Sequence, residues 1–327
     1  MIKKRLTILL FIFYLVMPSM AQTTIEEDAY KLFIKAIQEK NLSKRIEIFN
    51  EYLNNYAKLG LMYDKFVYMN LAFTYNDLRR FDKVVESGEK ALSFSDLGNM
   101  ERANLLNVVA GAYAELNKNL EKALNYSKTA IQIASNSLKV ESQANKPEEW
   151  KKVLGAGHFV EGSIYFKRKE YKNGLDSWTK AYKELRAPEI IKEIRKNGKS
   201  FYADKKFGEA EMFFRTSYEL SKDPECAYWY GKTNYQLSHK SEALEYFKIA
   251  YSKKKDSEIA YNIGILLLQA NRPDEAFNYL SEASVLNNSK FSGDARKLLE
   301  SEYFKKFGNI DGIPKLLEDA KKRLGIS

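Results

Sequence analysis

Several residue types that catalytic or disulfide-stabilised proteins use are scarce in this chain of 327 residues. It has one cysteine, Cys226, so no disulfide can form within it. Its two histidines, His158 and His239, lie far apart, and no HExxH spacing that would hold zinc is present. We therefore expect no catalytic activity, no metal and no other cofactor.

Proline and glycine are also scarce, with six and sixteen residues in the whole chain. Both residues weaken helix interiors, so their scarcity favours a mostly helical protein. No strand-like alternation of useful length appears. Hydrophobic residues make up 45% and charged residues 29%, which is enough apolar surface for an ordered fold.

The amino terminus has the layout of a secretory signal over residues 1–21. Lys3, Lys4 and Arg5 precede an apolar run over residues 6–17, and Ser19 and Ala21 are the small pair at a cut after Ala21. The other interpretation is an uncleaved anchor, but the run is shorter than the roughly 20 residues of a spanning helix. We expect an exported, periplasmic protein with no later membrane span; the alternatives are a secreted or a peripherally envelope-associated protein.

The formal net charge is +10, and it falls to +7 when the three basic residues of the signal are removed. Outside the cytoplasm, anionic peptides, glycans or lipid headgroups are more plausible partners than nucleic acid. The other interpretation is that abundant lysine keeps a long helical surface in solution.

One pattern occurs twice between residues 224 and 288, at a spacing of 33 residues, as from Ala227 to Ala260. A fixed period of this length predicts stacked helical hairpins. The first copy is Ala227, Tyr228, Gly231, Ala243, Phe247 and Ala250, and the second is Ala260, Tyr261, Gly264, Ala276, Leu280 and Ala283.

Weaker copies extend the pattern along the chain. We expect three divergent hairpins over residues 22–134 and five hairpins over residues 148–327, the last ending in a capping helix. Residues 135–147 are polar and contain Pro147, which favours a joint between two stacks. An extended return helix followed by a loop explains the same residues equally well.

These copies resemble the tetratricopeptide repeat family, most clearly at Ala227-Tyr228-Trp229-Tyr230-Gly231 and Ala260-Tyr261-Asn262-Ile263-Gly264. The resemblance implies an all-α fold, a right-handed α-solenoid of about eight antiparallel hairpins whose first helices line a concave face. The chain departs from the family in lacking most of its hairpin-ending prolines and its usual tryptophan early in the first helix.

Stepping three or four residues along the first helices predicts the residues that would contact a partner. They form a basic, tyrosine-rich centre between apolar patches, typical of a groove for an extended or helical protein segment with an acidic middle. The other interpretation is that the cations are solvated and the apolar groups packed. The family's clamp for a terminal carboxylate is not carried over, because the lysines and Asn262 are arranged differently. The predicted residues are Lys192, Arg195, Lys199, Tyr202, Tyr228, Lys232, Tyr235, Tyr261, Asn262 and Ile265.

The first hypothesis is a non-catalytic exported scaffold that binds a protein or peptide segment, in assembly of an envelope or secretion complex. The second is a sensor or regulatory module that works with a membrane signalling protein. An enzyme that acts on wall polymers or peptides is a third class, and it would have to rely on carboxylates alone.

Overall fold

The computed structural model describes residues 20–140, 146–286 and 289–326, with side chains from residue 24 onward. Within these ranges the secondary structure is helical, which confirms the predicted all-α class. The predicted signal over residues 1–21 falls almost wholly outside the described residues. The predicted joint falls partly outside them, and its residues 135–140 belong to a helix.

The chain divides into two compact units at the junction between Lys146 and Pro147. The described residues of unit 1 form six helices and a short 3₁₀ turn, Ala57–Leu59, that follows the second helix. The helices are α1 (Met20–Gln38), α2 (Leu42–Tyr56), α3 (Asp64–Asp77), α4 (Phe81–Leu92), α5 (Asn99–Glu115) and α6 (Leu120–Val140).

In unit 2 the residues that the structure describes form ten helices, and successive helices again pack in pairs. They are α7 (Pro147–Lys167), α8 (Tyr171–Leu185), α9 (Pro188–Ala203), α10 (Phe207–Ser221), α11 (Pro224–Gln236), α12 (Lys240–Lys253), α13 (Ser257–Gln269), α14 (Pro273–Val285), α15 (Lys290–Phe307) and α16 (Ile313–Leu324). This is the stacked-hairpin architecture that the 33-residue period predicts.

The turn inside most hairpins has a common backbone design. One residue adopts a left-handed conformation, and the following N–H bonds to a carbonyl five residues earlier, which is a Schellman helix end. At Ser238 (φ 64°), for example, the N–H of His239 donates to the Asn234 carbonyl at 2.9 Å. The other left-handed residues in equivalent turns are Arg79, Asn117, Lys169, Lys205 and Asn271.

Small residues set the close crossing of the two helices in a hairpin. A Cβ added to Gly264 would lie 2.6 Å from Leu280 Cδ2, and one added to Gly231 would lie 3.2 Å from the Phe247 backbone nitrogen. The alanines opposite, Ala243 and Ala276, are fully buried. Interiors this dense leave no room for one more carbon, so these positions repeat in the sequence.

The last pair of helices departs from this scheme, because α15 and α16 both pack against α14. Arg323 near the end of α16 donates to the buried Glu282 carboxylate of α14 at 2.7 Å. The Tyr251 hydroxyl donates to the other oxygen of the same carboxylate at 2.7 Å. The final helix is thus held over the seventh hairpin by its apolar face and by one buried acceptor.

Candidate functional site

The first helices of unit 2 position all ten residues that the sequence predicts for partner contact. Because one side of each helix is buried in the core, the residues on its opposite side face away from the core. In α11 the buried side includes Ala227, Tyr230 and Gly231, so Tyr228, Lys232 and Tyr235 remain on the accessible side. Lys192, Arg195, Lys199 and Tyr202 lie on α9, Tyr228, Lys232 and Tyr235 on α11, and Tyr261, Asn262 and Ile265 on α13.

Two cations of α9 share one carboxylate of α11. Arg195 Nη1 lies 2.9 Å from Glu225 Oε2, and Lys199 Nζ lies 2.8 Å from Glu225 Oε1. Glu225 stands in the first turn of α11, where the Asp223 side chain caps the helix and the helix dipole favours negative charge. We call Arg195, Lys199 and Glu225 the first rung.

The second rung repeats this arrangement one hairpin later. Lys232 Nζ lies 3.1 Å from Glu258 Oε1, which also accepts a 2.6 Å hydrogen bond from the Tyr228 hydroxyl. Glu258 stands in the first turn of α13, in the position that Glu225 occupies in α11. Burial, and then the Glu258 carboxylate, raise the pKa of Tyr228 well above its ordinary value, so the phenol stays a donor.

Trp229 forms an aromatic platform between the two rungs. Its ring stacks on Phe214 at 5.5 Å, and the Tyr202 ring meets it edge-on at 5.5 Å. Lys199 Nζ lies 5.1 Å from the centre of this ring and Lys232 Nζ lies 5.3 Å from it. Both ammonium groups are therefore held by a carboxylate and by the face of the indole at once.

In the next repeat, the positions equivalent to the second rung are apolar. Ile265 stands where Lys232 stands one repeat earlier, and Phe291 of α15 stands where Glu258 does. The Tyr261 ring lies 6.0 Å from the Phe291 ring, whereas the equivalent Tyr228 hydroxyl binds a glutamate. The face formed by α9, α11 and α13, which we call the first-helix face, thus changes from charged to apolar along unit 2.

The structure brings most of the predicted residues together but changes the interpretation of the basic centre. Arg195, Lys199 and Lys232 are bound to the protein's own carboxylates. Lys192 is exposed and makes no ion pair within the part of the chain that the structure describes. Tyr235 is 37% exposed beyond the second rung. Asn262 is half-buried beside Tyr261 on α13.

The apolar patch that the sequence predicts upstream of this centre, Phe159 and Phe166 beside Ser163 on α7, is only partly open. Phe166 packs edge-on against Phe201 and Phe213, with ring centres at 6.1 and 6.0 Å, and joins the aromatic core. Phe159 packs against Trp178 at 6.4 Å. These rings therefore stabilise the fourth and fifth hairpins, and the most exposed aromatic side chain of the first-helix face is Tyr235 of α11.

Three residues of this face were missed by the reasoning from sequence: Trp229, Glu225 and Glu258. Trp229 directly follows Tyr228, so stepping three or four residues from Tyr228 to Lys232 passes over it. The two glutamates lie at helix starts, where acidic residues are common for reasons of the dipole alone. Their spacing of 33 residues, together with the same spacing from Lys199 to Lys232, was the available signal.

The side chains that most resemble catalytic groups are occupied by hydrogen bonds or packing within the fold. Ser177 Oγ donates to the buried Glu161 carboxylate at 2.9 Å, and His158 Nδ1 lies 3.5 Å from the same oxygen. Burial raises the pKa of Glu161, but the neighbouring His158 ring and Ser177 hydroxyl outweigh it and lower that pKa. Cys226 is buried, and His239 is the exposed residue directly before α12.

Across the described ranges, no cluster of three or more histidine, cysteine, aspartate or glutamate side chains is placed to hold a metal ion. Nor does any helix there combine the length and apolar character that crossing a membrane requires.

The paired helices and their spacing of 33 residues resemble tetratricopeptide repeats. No family model matches the chain, and no curated protein matches it. Among solved structures, it is similar to a tetratricopeptide repeat protein from Parabacteroides merdae, with 15% identity, 86% of this chain and 99% of that chain covered, and a TM-score of 0.39.

Two further solved structures show comparable similarity. The MamA protein has 15% identity, with 60% of this chain and 94% of that chain covered and a TM-score of 0.39. YrrB, described as a tetratricopeptide repeat protein with an unusual peptide-binding site, has 18% identity, coverage of 65% and 99%, and a TM-score of 0.33.

Proposed function

We propose that the chain is a non-catalytic exported scaffold that binds a protein segment along the first-helix face of unit 2. The observation that carries this proposal is the aromatic platform at Trp229, flanked by Tyr202 and Tyr228 and overlaid by Lys199 and Lys232. Tryptophan and tyrosine offer large contact area at small entropic cost, and they dominate the energetics of protein interfaces.

The segment we propose has an acidic centre and apolar ends. Glu225 is about half exposed, and ion pairs in such positions contribute little stability, so a partner carboxylate can exchange with it at Arg195 and Lys199. Tyr261, Ile265 and Phe291 then form the apolar end of the path. Assembly of an envelope or secretion complex is the setting that the predicted signal favours.

Two double variants that each remove two positive charges test this assignment. The variant Lys199→Ala with Lys232→Ala removes both cations from the Trp229 ring. The control variant, Lys240→Ala with Lys253→Ala, removes two exposed lysines of the second helix α12, which does not belong to this face. Each protein, beginning at Gln22, is used as bait in an envelope extract of the source cells, and captured proteins are quantified by mass spectrometry.

We expect the face variant to lose the specific partner by at least about tenfold, equivalent to roughly 1.4 kcal/mol of binding free energy. The control variant should capture it as wild type does. Equal recovery by both variants would show that the segment binds elsewhere.

A further inference from the structure

The end of α15 carries an exposed apolar surface that the hairpin packing does not require. α15 has 18 residues, whereas the first helices α11 and α13 have 13 each. Residues 303–307 of α15 thus have no counterpart in those helices. Residues 304–310, which include the turn after α15, are all exposed. We call them the α15 tip. Three of its side chains are large and apolar: Phe304 is 57% exposed, Phe307 47% and Ile310 50%.

An aromatic cluster packs the α15 tip against α14. Phe307 lies 4.5 Å from the Tyr303 ring, which in turn lies 5.4 Å from the Phe277 ring of α14. Gly308 ends the helix in a left-handed conformation with φ 74°, and its N–H donates to the Phe304 carbonyl at 2.8 Å. The exposed side chains therefore project from a fixed support.

Two lysines, Lys305 and Lys306, separate Phe304 from Phe307 in the sequence. Lys306 pairs with Asp274 and lies over the Phe307 ring at 5.2 Å. Lys305 is 66% exposed and pairs with Glu302 at 2.6 Å. Ion pairs in such exposed positions are weak, so these ammonium groups can exchange to a phosphate. Lys315, at the start of the next helix, is exposed as well.

We infer that the α15 tip is a peripheral binding site for a phospholipid surface with anionic headgroups. Phe304, Phe307 and Ile310 would enter the boundary between headgroups and acyl chains, and Lys305 and Lys306 would bind phosphates above them. A protein partner is the less suitable occupant, because a specific protein interface needs about twenty residues a side. Three projecting side chains between cations suffice for interfacial insertion.

Vesicle sedimentation tests this inference independently of the proposed partner. The chain beginning at Gln22 is used, so that the apolar run over residues 6–17 cannot contribute. The first buried side chain of the described residues is Ala29, and the core is thus retained. The probes are vesicles of phosphatidylcholine alone and vesicles of phosphatidylcholine mixed with phosphatidylglycerol.

We expect binding to the mixed vesicles, and a loss of at least about tenfold in the variant Phe304→Ser with Ile310→Ser. Neither the Phe304 ring nor the Ile310 side chain belongs to the aromatic cluster of Tyr303, Phe307 and Phe277. Circular dichroism should therefore show an unchanged helical fold. The matched control is Leu59→Ser with Met62→Ser, which removes two side chains of unit 1 that are 53% and 60% exposed. It should bind as wild type does.

A dye at the tip gives a second readout. Cys226 is fully buried, so a thiol-reactive dye should label Ile310→Cys selectively. A blue shift of its emission on adding mixed vesicles, with no shift for Met62→Cys, supports insertion. No vesicle binding by the wild-type chain, or equal losses in the tip and control variants, would overturn the inference.

Discussion

The hairpins α11–α12 and α13–α14 pack in the same way but present different surfaces. In both, an alanine and a glycine of the first helix are buried against an alanine and a large side chain of the second. The equivalent pairs are Ala227 and Ala260, Gly231 and Gly264, Ala243 and Ala276, and Phe247 and Leu280.

On the first-helix face the equivalence ends. Lys232 of α11 pairs with Glu258, and the same two positions one repeat later are Ile265 and Phe291. The helix crossing constrains the buried positions, because one additional carbon would collide with the opposite helix. The rung positions are under no such constraint, so they are free to differ from one repeat to the next.

The largest expected effect on stability comes from substituting a residue at a buried position that the two hairpins share in their packing. Phe247 is 1% exposed beneath Gly231 and Tyr228, so Phe247→Ala should lower the free energy of unfolding by about 3–5 kcal/mol. Urea unfolding followed by circular dichroism measures it. The control is Glu245→Ala on the exposed side of α12, which should change stability by no more than about 0.5 kcal/mol. A comparable loss in both variants would contradict the packing account.

Adding one carbon at the helix crossing should have the next largest effect. In Gly264→Ala the new Cβ would approach Leu280 Cδ2 at 2.6 Å and Cγ at 2.7 Å, which should cost about 1–3 kcal/mol. Thermal unfolding provides the measurement. Gly208→Ala is the matched control, since a Cβ there meets nothing within 4 Å and alanine favours the helix. Stabilisation of Gly264→Ala would show that the close crossing is not a constraint.

Converting the second rung to the composition of the third should separate stability from binding. In the variant Lys232→Ile with Glu258→Phe, the ion pair is replaced by apolar side chains, which is commonly close to neutral. We expect a stability change within about 1 kcal/mol and the loss of the partner captured by wild type. Urea unfolding and the capture assay are run on the same preparation. A loss above about 3 kcal/mol would instead make the rung a structural link between hairpins.

The smallest expected effect lies in the turns of the two hairpins. Ser238 and Asn271 occupy the same left-handed position, with φ 64° and 55°. Asparagine tolerates this conformation better than serine, so Ser238→Asn should stabilise by about 0.5 kcal/mol and Asn271→Ser should destabilise by a similar amount. Paired thermal melts measure both. Shifts of the same sign in the two variants would contradict this explanation.

The helical hairpins were predictable because their signal repeats. A glycine at one crossing is weak information, but Gly231 and Gly264 with Ala243 and Ala276 at one spacing define a period. The departure of α15 and α16 from this scheme was not predictable in the same way. It depends on which helix buries the apolar face of α16, and the sequence of α16 alone does not specify its neighbour.

The candidate site was predictable as a set of positions and not as a set of interactions. Helical stepping places Arg195, Lys199 and Lys232 on one face, because direction depends on the backbone alone. Their partners, Glu225 and Glu258, come from the next helix along, so the pairing needs the distance between helices. The predicted acidity of the partner stays a prediction for this reason.

Site-specific photo-crosslinking tests the central claim, that the first-helix face is where this protein binds its partner. A photoreactive phenylalanine replaces Tyr235 on that face or Tyr30 of α1, which are 37% and 38% exposed and so are equally accessible. In source cells we predict one discrete protein adduct from position 235, none from position 30, and loss of the adduct when Lys232→Ile and Glu258→Phe are added. The same adducts from both positions, or an adduct at position 235 that survives the rung substitution, would contradict the account.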